Sequence, residues 1–73
     1  MGNAATIAEF LRARRGQWYC DRCISDLTGI RPPNQVNQTT RPLSQTAEFE
    51  RRLSVQCSQG GHLRTCSRAR PSS

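Results

Sequence analysis

The residues with the clearest chemistry are four cysteines and a single histidine, arranged in two clusters. Cys20 and Cys23 form a C-x2-C pair, whereas Cys57, His62 and Cys66 lie within ten residues of one another. Thiolates and imidazole at such spacings suit Zn²⁺, which takes four nitrogen or sulfur ligands in a tetrahedron. The spacing therefore predicts a structural zinc site that ties the middle of the chain to a segment more than thirty residues later.

The fourth zinc ligand is open between two residues. In a hairpin turning on two neighbouring glycines, Cys57, His62 and Cys66 all project from one face. A soft thiolate favours Cys66, whereas proximity to Cys57 favours His62. The predicted set is Cys20, Cys23, Cys57 and Cys66, with His62 as the alternative fourth ligand.

A disulfide framework is the competing interpretation of four cysteines, and it requires secretion. The N-terminal segment MGNAATIAEFLRARRG has no apolar run of the kind that a signal peptide contains. No segment approaches the length of about 18 apolar residues that crosses a membrane. We therefore expect a cytoplasmic protein with metal-bound cysteines and no membrane partner.

Size and charge narrow the class of protein further. The chain has 73 residues, which make one domain at most. Only 34% of them are hydrophobic, so we expect the small core to need further stabilisation, such as a bound metal. The net charge is +6, and all 11 basic residues are arginines, whose planar fork suits phosphates and guanine edges. The charge favours a polyanionic partner, with an arginine-rich genome as the competing explanation.

Two short helices are predicted before the middle of the chain. Thr6 and Glu9 form a capping box for a helix over residues 7–15. Trp18 is predicted as a core residue in a short extended segment, and Asp21 as the N-cap of a second helix that ends at Thr28-Gly29. The apolar faces expected to point inward are Ile7, Phe10 and Leu11 on the first helix and Cys23, Ile24 and Leu27 on the second.

A third helix is predicted over residues 33–45, with Val36, Thr40 and Leu43 facing inward. Pro42 should kink this helix or end it near Thr40. The outward side chains are amides and one guanidinium, which suit adenine and guanine edges. These predicted base contacts are Asn34, Gln35, Asn37, Gln38 and Arg41.

The period changes from helical to alternating at Phe49, which predicts a strand with one face inward. A return strand is expected over residues 63–67, followed by a basic flexible tail over residues 69–73. The inward residues should be Phe49, Arg51, Leu53, Val55 and Cys57, although Arg51 can also stack over the core. The arginines expected to bind phosphates from this hairpin are Arg52, Arg64 and Arg68.

Three helices followed by a β-hairpin is the order of an α+β winged helix-turn-helix, here over residues 6–68. The second helix of the helix-turn-helix pair, the predicted third helix, is the one expected in the major groove.

A family resemblance adds to this prediction. The run from Trp18 to Ile24, the run from Asn34 to Leu43, Phe49 and the pair Cys57-Ser58 resemble small prokaryotic zinc-binding winged-helix proteins. Those proteins show a C-D-x-C-[LI] helix start, a Q-x-N-x-x-[ST]-x-x-L helix and a wing with C-S-x-C-G. The resemblance covers about residues 7–68 and implies a DNA-binding fold. It departs at Gly60, where the family has the second wing cysteine.

The predicted function is duplex DNA binding, with Zn²⁺ as a structural cofactor. The alternative is a protein-interaction or assembly adaptor with the same fold, because fold does not determine function. RNA binding is disfavoured by the lack of interleaved aromatic residues. An enzyme is not expected, since a catalytic zinc needs an open position and a base, and no small-molecule substrate is indicated. A homodimer or a protein partner remains open.

Overall fold

The computed structural model describes residues 2–71, which form three helices and a three-stranded antiparallel sheet. No helix in this part of the chain combines the length and apolar character needed to cross a membrane. In chain order the elements are α1 (Asn3–Arg12), β1 (Tyr19–Cys20), α2 (Asp21–Thr28), α3 (Pro33–Leu43), β2 (Phe49–Gln56) and β3 (Leu63–Ala69).

Helix α1 begins at Asn3, so the capping box predicted at Thr6 and Glu9 is wrong. Gly2 takes the N-cap position and has no side-chain cap. Ala4 and Ala5, which precede Thr6, are strong helix formers and let the helix start before Thr6. The predicted apolar stripe is confirmed, because Ile7, Phe10 and Leu11 are all buried.

Helix α2 has a cysteine as its N-cap, where the sequence predicted Asp21. The Sγ of Cys20 accepts a 3.4 Å hydrogen bond from the backbone N–H of Cys23, and Asp21 is the first helical residue. The predicted end is confirmed by Gly29, which has a φ of 81° that suits glycine. Leu27 is 47% exposed, which contradicts its predicted inward position; it lies one turn beyond the half-buried Cys23, away from the main core.

Helix α3 buries Val36 and Thr40 as predicted, and Leu43 packs against the core from a half-buried position. The helix continues through Pro42 to Leu43, so the prediction of an end near Thr40 is wrong. Pro42 is tolerated because it lies in the last turn and removes the hydrogen bond to the carbonyl of Gln38, an exposed residue that water can reach.

The strand order of the sheet is β1–β3–β2, which places the last strand along the chain in the centre. Tyr19 pairs with Ser67 and Cys20 with Cys66, while Phe49 pairs with Ala69 on the other side of β3. Ala69, the first residue of the predicted tail, is therefore a buried member of the sheet. Residues 72 and 73 of that tail lie outside the described part of the chain.

A bulge interrupts the alternation in β2. The register shifts between Arg52 and Val55, and Ser54 has a φ of 55°. Because the extra residue rotates the strand, Leu53 points into solvent with 73% of its surface exposed, and its predicted inward position is wrong.

The buried residues fall into two neighbouring clusters. The larger cluster packs the helices on the sheet, and the smaller contains three cysteines. Cys23 packs against both clusters, so the cysteine-rich region continues the main core. The larger cluster consists of Ile7, Ala8, Phe10, Leu11, Tyr19, Ile24, Val36, Phe49 and Ala69.

Candidate metal centre

Three thiols meet where the start of α2 faces the hairpin. Cys20 ends β1, Cys23 lies in the first turn of α2, and Cys57 directly follows β2. Their Sγ atoms all lie within 4.8 Å of one another, and those of Cys23 and Cys57 are 3.3 Å apart. This cluster could hold a metal ion, as the sequence predicts for these three residues.

Backbone groups favour a thiolate at one corner of the cluster. Burial acts to raise the pKa of Cys57, but the backbone N–H groups of Cys20, Gly60 and Gln59 outweigh it and lower that pKa to about 7. Burial and the adjacent thiols of Cys20 and Cys57 raise the pKa of Cys23 to about 12. A thiolate is therefore favoured at Cys57 over Cys23, and a cation would stabilise further negative charge beside it.

The spacing of the sulfurs fits a tetrahedral ion. With Zn–S bonds of about 2.3 Å, two ligand sulfurs lie about 3.8 Å apart. The two sulfurs of Cys23 and Cys57 are 3.3 Å apart and all three sulfurs lie within 4.8 Å of one another, which is compatible with that value. Only small side-chain adjustments would place all three on one ion.

The two candidates for the fourth ligand are placed differently. Cys66 is fully buried and its Cα pairs with that of Cys20, but its Sγ faces the carbonyl oxygens of Val55 and Arg64 at 3.6 and 3.5 Å. Burial and the nearby charge of Cys57 raise the pKa of Cys66 to about 12. His62 is exposed and lines a cavity of about 240 Å³ in front of the three thiols. Neither residue belongs to the set of three close sulfurs.

Trp18 packs against the cysteine cluster, which agrees with its predicted core role. Its carbonyl accepts a 2.7 Å hydrogen bond from the backbone N–H of Ser58, next to Cys57. The guanidinium carbon of Arg68 lies 4.4 Å from the ring centroid, and that of Arg52 lies 5.7 Å from it. The hairpin is thereby fastened to the chain segment that leads into the C-x2-C pair.

A polar network joins the start of α2 to α3 and the sheet. The guanidinium of Arg51 donates to both carboxylate oxygens of Asp21 at 3.0 and 2.9 Å, and also to Thr40 and Ser67. Asp21 additionally accepts hydrogen bonds from Asn37 and Thr40. Arg51 and Asp21 are only 14% and 17% exposed, so this ion pair belongs to the interior.

The predicted base-contacting residues all lie on α3, but they differ in exposure and in hydrogen bonding to the rest of the protein. Asn34, Gln35, Gln38 and Arg41 are exposed, whereas Asn37 is half-buried and donates its amide to Asp21 at 3.1 Å. Helix α3 carries no acidic residue, so its outer face combines amides with one positive charge.

The three arginines predicted to bind phosphate also differ in exposure and in the contacts that their guanidinium groups make. Arg68 is half-buried, bonds Glu50 and faces Trp18, and Arg52 has weaker contacts with the same two residues. Arg64 is exposed and has no ion pair among the described residues. Only Arg64 of the three therefore offers an uncommitted guanidinium.

Arg22 is a candidate functional residue that the sequence reasoning missed. Together with Arg64 it lines a cavity of about 340 Å³ that also contacts Asn34 and Asn37 of α3. Its position between the two cysteines of the C-x2-C pair was an available signal, because a residue there is positioned by the turn that brings the two thiols together.

No family model matches this chain, and no curated protein or solved structure matches it either.

Proposed function

We propose that this protein is a duplex DNA-binding module with a winged helix-turn-helix fold, stapled by a structural zinc ion. The observation that carries the proposal is the outer face of α3, where exposed amides and Arg41 stand without any acidic residue. Such a face suits the edges of bases in the major groove.

The topology supports the winged-helix part of the proposal. The element order α1, β1, α2, α3, β2, β3 has a helix pair followed by a hairpin, and β1 joins that hairpin as a third strand. Helices α2 and α3 are joined through Gly29, which ends α2 in the left-handed conformation, in keeping with a helix-turn-helix connection.

The distribution of charge supports nucleic acid as the partner. Glu48 forms ion pairs with Arg12 and Arg15, and Glu50 with Arg52, Arg68 and Arg70, none of which belongs to α3. These two acids therefore neutralise arginines of α1, β2 and the end of β3, and Asp21, the acid that contacts α3, is paired with Arg51. Positive charge is left without a partner beside α3, where a polyanion would approach.

We propose Cys66 as the fourth zinc ligand. Its side chain belongs to the same buried cluster as Cys20 and Cys57, and cross-strand pairing places it beside Cys20. A rotation of its side chain away from the two carbonyl oxygens would bring its sulfur toward the ion. Four sulfur ligands make a closed structural site, with no open position for catalysis.

The DNA-binding proposal is tested by fluorescence anisotropy with the zinc-loaded protein and labelled random duplexes at two salt concentrations. We expect binding that weakens steeply with salt, because phosphate contacts release counterions. An absence of binding at low salt would refute the proposal.

The role of α3 is tested on a site selected from a pool of random duplexes. Gln35→Ala or Gln38→Ala should cost about 1–3 kcal/mol on the selected site and much less on random DNA. The matched control is Gln45→Ala, an exposed glutamine just beyond the end of α3. Equal losses on both duplexes would limit α3 to backbone contacts.

The ligand assignment is tested by competition of each variant for zinc against a chelator. Cys66→Ala should lower the zinc affinity sharply, whereas His62→Ala should change it little. The reverse result would assign His62. Unchanged affinity in both single variants would mean either that the two residues substitute for one another or that water completes a three-sulfur site, and the double variant Cys66→Ala/His62→Ala separates these two cases.

The adaptor function is the second candidate, favoured by two exposed leucines on the hairpin. Leu53 and Leu63 are 73% and 72% exposed, and burying such side chains against a partner would be favourable. Unchanged DNA binding in Leu53→Ser and Leu63→Ser would exclude these leucines from DNA contact, as the adaptor function expects, whereas weaker DNA binding would count against that function.

A further inference from the structure

Three arginines stand apart from the rest of the basic residues. Seven of the 11 arginines form ion pairs within the described part of the chain, and Arg14 bonds the carbonyl of Phe10 and stacks on its ring. The remaining three are exposed, and residues 2–71 provide them with neither an ion pair nor an aromatic ring. These three are Arg22, Arg41 and Arg64.

Two of these arginines come from distant parts of the sequence and share one cleft. Arg22 lies in the first turn of α2 and Arg64 in β3, yet both line the cavity of about 340 Å³ beside α3. Both also line the smaller cavity in front of the thiols, so the two cavities share one wall. Like charges gathered around one space raise its affinity for an anion.

The acids near this cleft do not cancel its charge. Asp21 lines it, but both of its carboxylate oxygens accept hydrogen bonds from Arg51. Asp26 lines only the smaller cavity and lies 3.8 Å from Arg31. Asn34 adds an exposed amide at the edge of the cleft. Two guanidinium groups and an amide donor are the groups that bind phosphate oxygens.

We propose that this cleft is a phosphodiester subsite, in which Arg22 and Arg64 hold one backbone phosphate of a nucleic-acid strand from two sides. A volume of about 340 Å³ has room for the phosphate and its flanking sugars. The subsite rests on the proposed function insofar as the same strand is the one that α3 contacts. It adds Arg22, on the metal-binding turn, to the DNA-binding surface.

The first test measures the salt dependence of duplex binding for the zinc-loaded protein. Variants Arg22→Ala and Arg64→Ala should each weaken binding about tenfold, the loss typical of a charge-assisted hydrogen bond. Because both hold the same phosphate, the double variant should reduce the slope of log K against log salt by about 0.9, the value for one phosphate. The matched control is Arg31→Ala, which is 71% exposed and lines neither cavity.

Two outcomes on the duplex would overturn the subsite while leaving DNA binding itself intact. An unchanged slope in the double variant would mean that neither arginine contacts a phosphate. A reduction of about 1.8 would mean two separate phosphate contacts and no shared cleft.

A second measurement tests the subsite without relying on duplex binding. Arginine Nε–Hε signals are followed by NMR during titration with a dinucleoside monophosphate and, separately, with inorganic phosphate. The expected result is a joint shift of the Arg22 and Arg64 signals with the dinucleotide, with the Arg31 signal unchanged. The absence of a shift at millimolar dinucleotide, or an equal response to inorganic phosphate, would overturn the phosphodiester assignment.

Discussion

Replacing Arg51 by methionine should cost a large part of the stability of this small domain. The change removes two hydrogen bonds to the carboxylate of Asp21, at 3.0 and 2.9 Å, and leaves that charge 83% buried without its counterion. Removing one partner of a buried pair typically costs about 3–5 kcal/mol. Asp21 keeps some exposure to water and still accepts hydrogen bonds from Asn37 and Thr40, which partly stabilise its charge. We therefore expect a loss at the lower end of this range, about 3 kcal/mol.

Urea unfolding followed by circular dichroism, at a fixed free zinc concentration, measures this loss. A loss of about 3 kcal/mol corresponds to a fall in Tm of about 12–24 °C for a domain of this size. The control is Arg31→Ala, an exposed arginine 3.8 Å from Asp26, which should change the stability by less than about 0.5 kcal/mol.

A double-mutant cycle with Asp21→Ala checks that the ion pair is the cause. The double variant should lose at least about 1 kcal/mol less than the two single variants together, because removing both charges leaves neither unpaired. A loss under about 1 kcal/mol in Arg51→Met, or full additivity in the cycle, would refute this account.

Three further predictions follow from the burial and the charges. Leu11→Ala should lower the free energy of unfolding by about 2–5 kcal/mol in urea, because Leu11 is 1% exposed. Leu53→Ala should change the free energy of unfolding by less than about 0.5 kcal/mol, and similar losses in the two variants would contradict the assigned burial. Hydrogen bonds and charge from Arg12 and Arg15 lower the pKa of Glu48 to about 2. The ionised carboxylate therefore stabilises the folded state at pH values above its unfolded pKa of about 4.5, and this stabilisation is lost as the pH falls toward 2. The stability difference between the wild type and Glu48→Gln should thus be constant from pH 7 to pH 5 and narrow below about pH 4.5, and a constant gap at lower pH would contradict the pairing. Chelation of the metal should unfold the chain cooperatively, and Cys20→Ser and Cys57→Ser should each have the same effect on the circular dichroism; a spectrum that stays unchanged after confirmed metal loss would exclude a structural role.

Much of the helical layout could be predicted because local periodicity reflects the core directly. The inward positions of Ile7, Ile24 and Val36 follow from helical spacing, and all three are fully buried. The clustering of Cys20, Cys23 and Cys57 also followed from spacing, because a C-x2-C turn can point both sulfurs at one ion.

The wrong predictions have two causes, a competing local preference in α1 and tertiary contacts elsewhere. A capping box at Thr6 is locally reasonable, but the alanines before it extend the helix upstream. The bulge at Ser54 depends on pairing with β3, so no rule of alternation within β2 could place Leu53. Likewise, the convergence of Arg22 and Arg64 depends on how the hairpin folds back toward α2.

The position of β3 between β1 and β2 has a consequence for biosynthesis. Neither outer strand pairs with the other, so neither has a partner until residues 63–69 have emerged from the ribosome. Cys57 also follows Cys20 by 37 residues, so the first two thiols are made long before the third. A nascent chain therefore exposes Cys20 and Cys23 before Cys57 can join them, so both thiols are open to oxidation until the hairpin closes over them, and an ion that needs all three sulfurs could be held only from that point on.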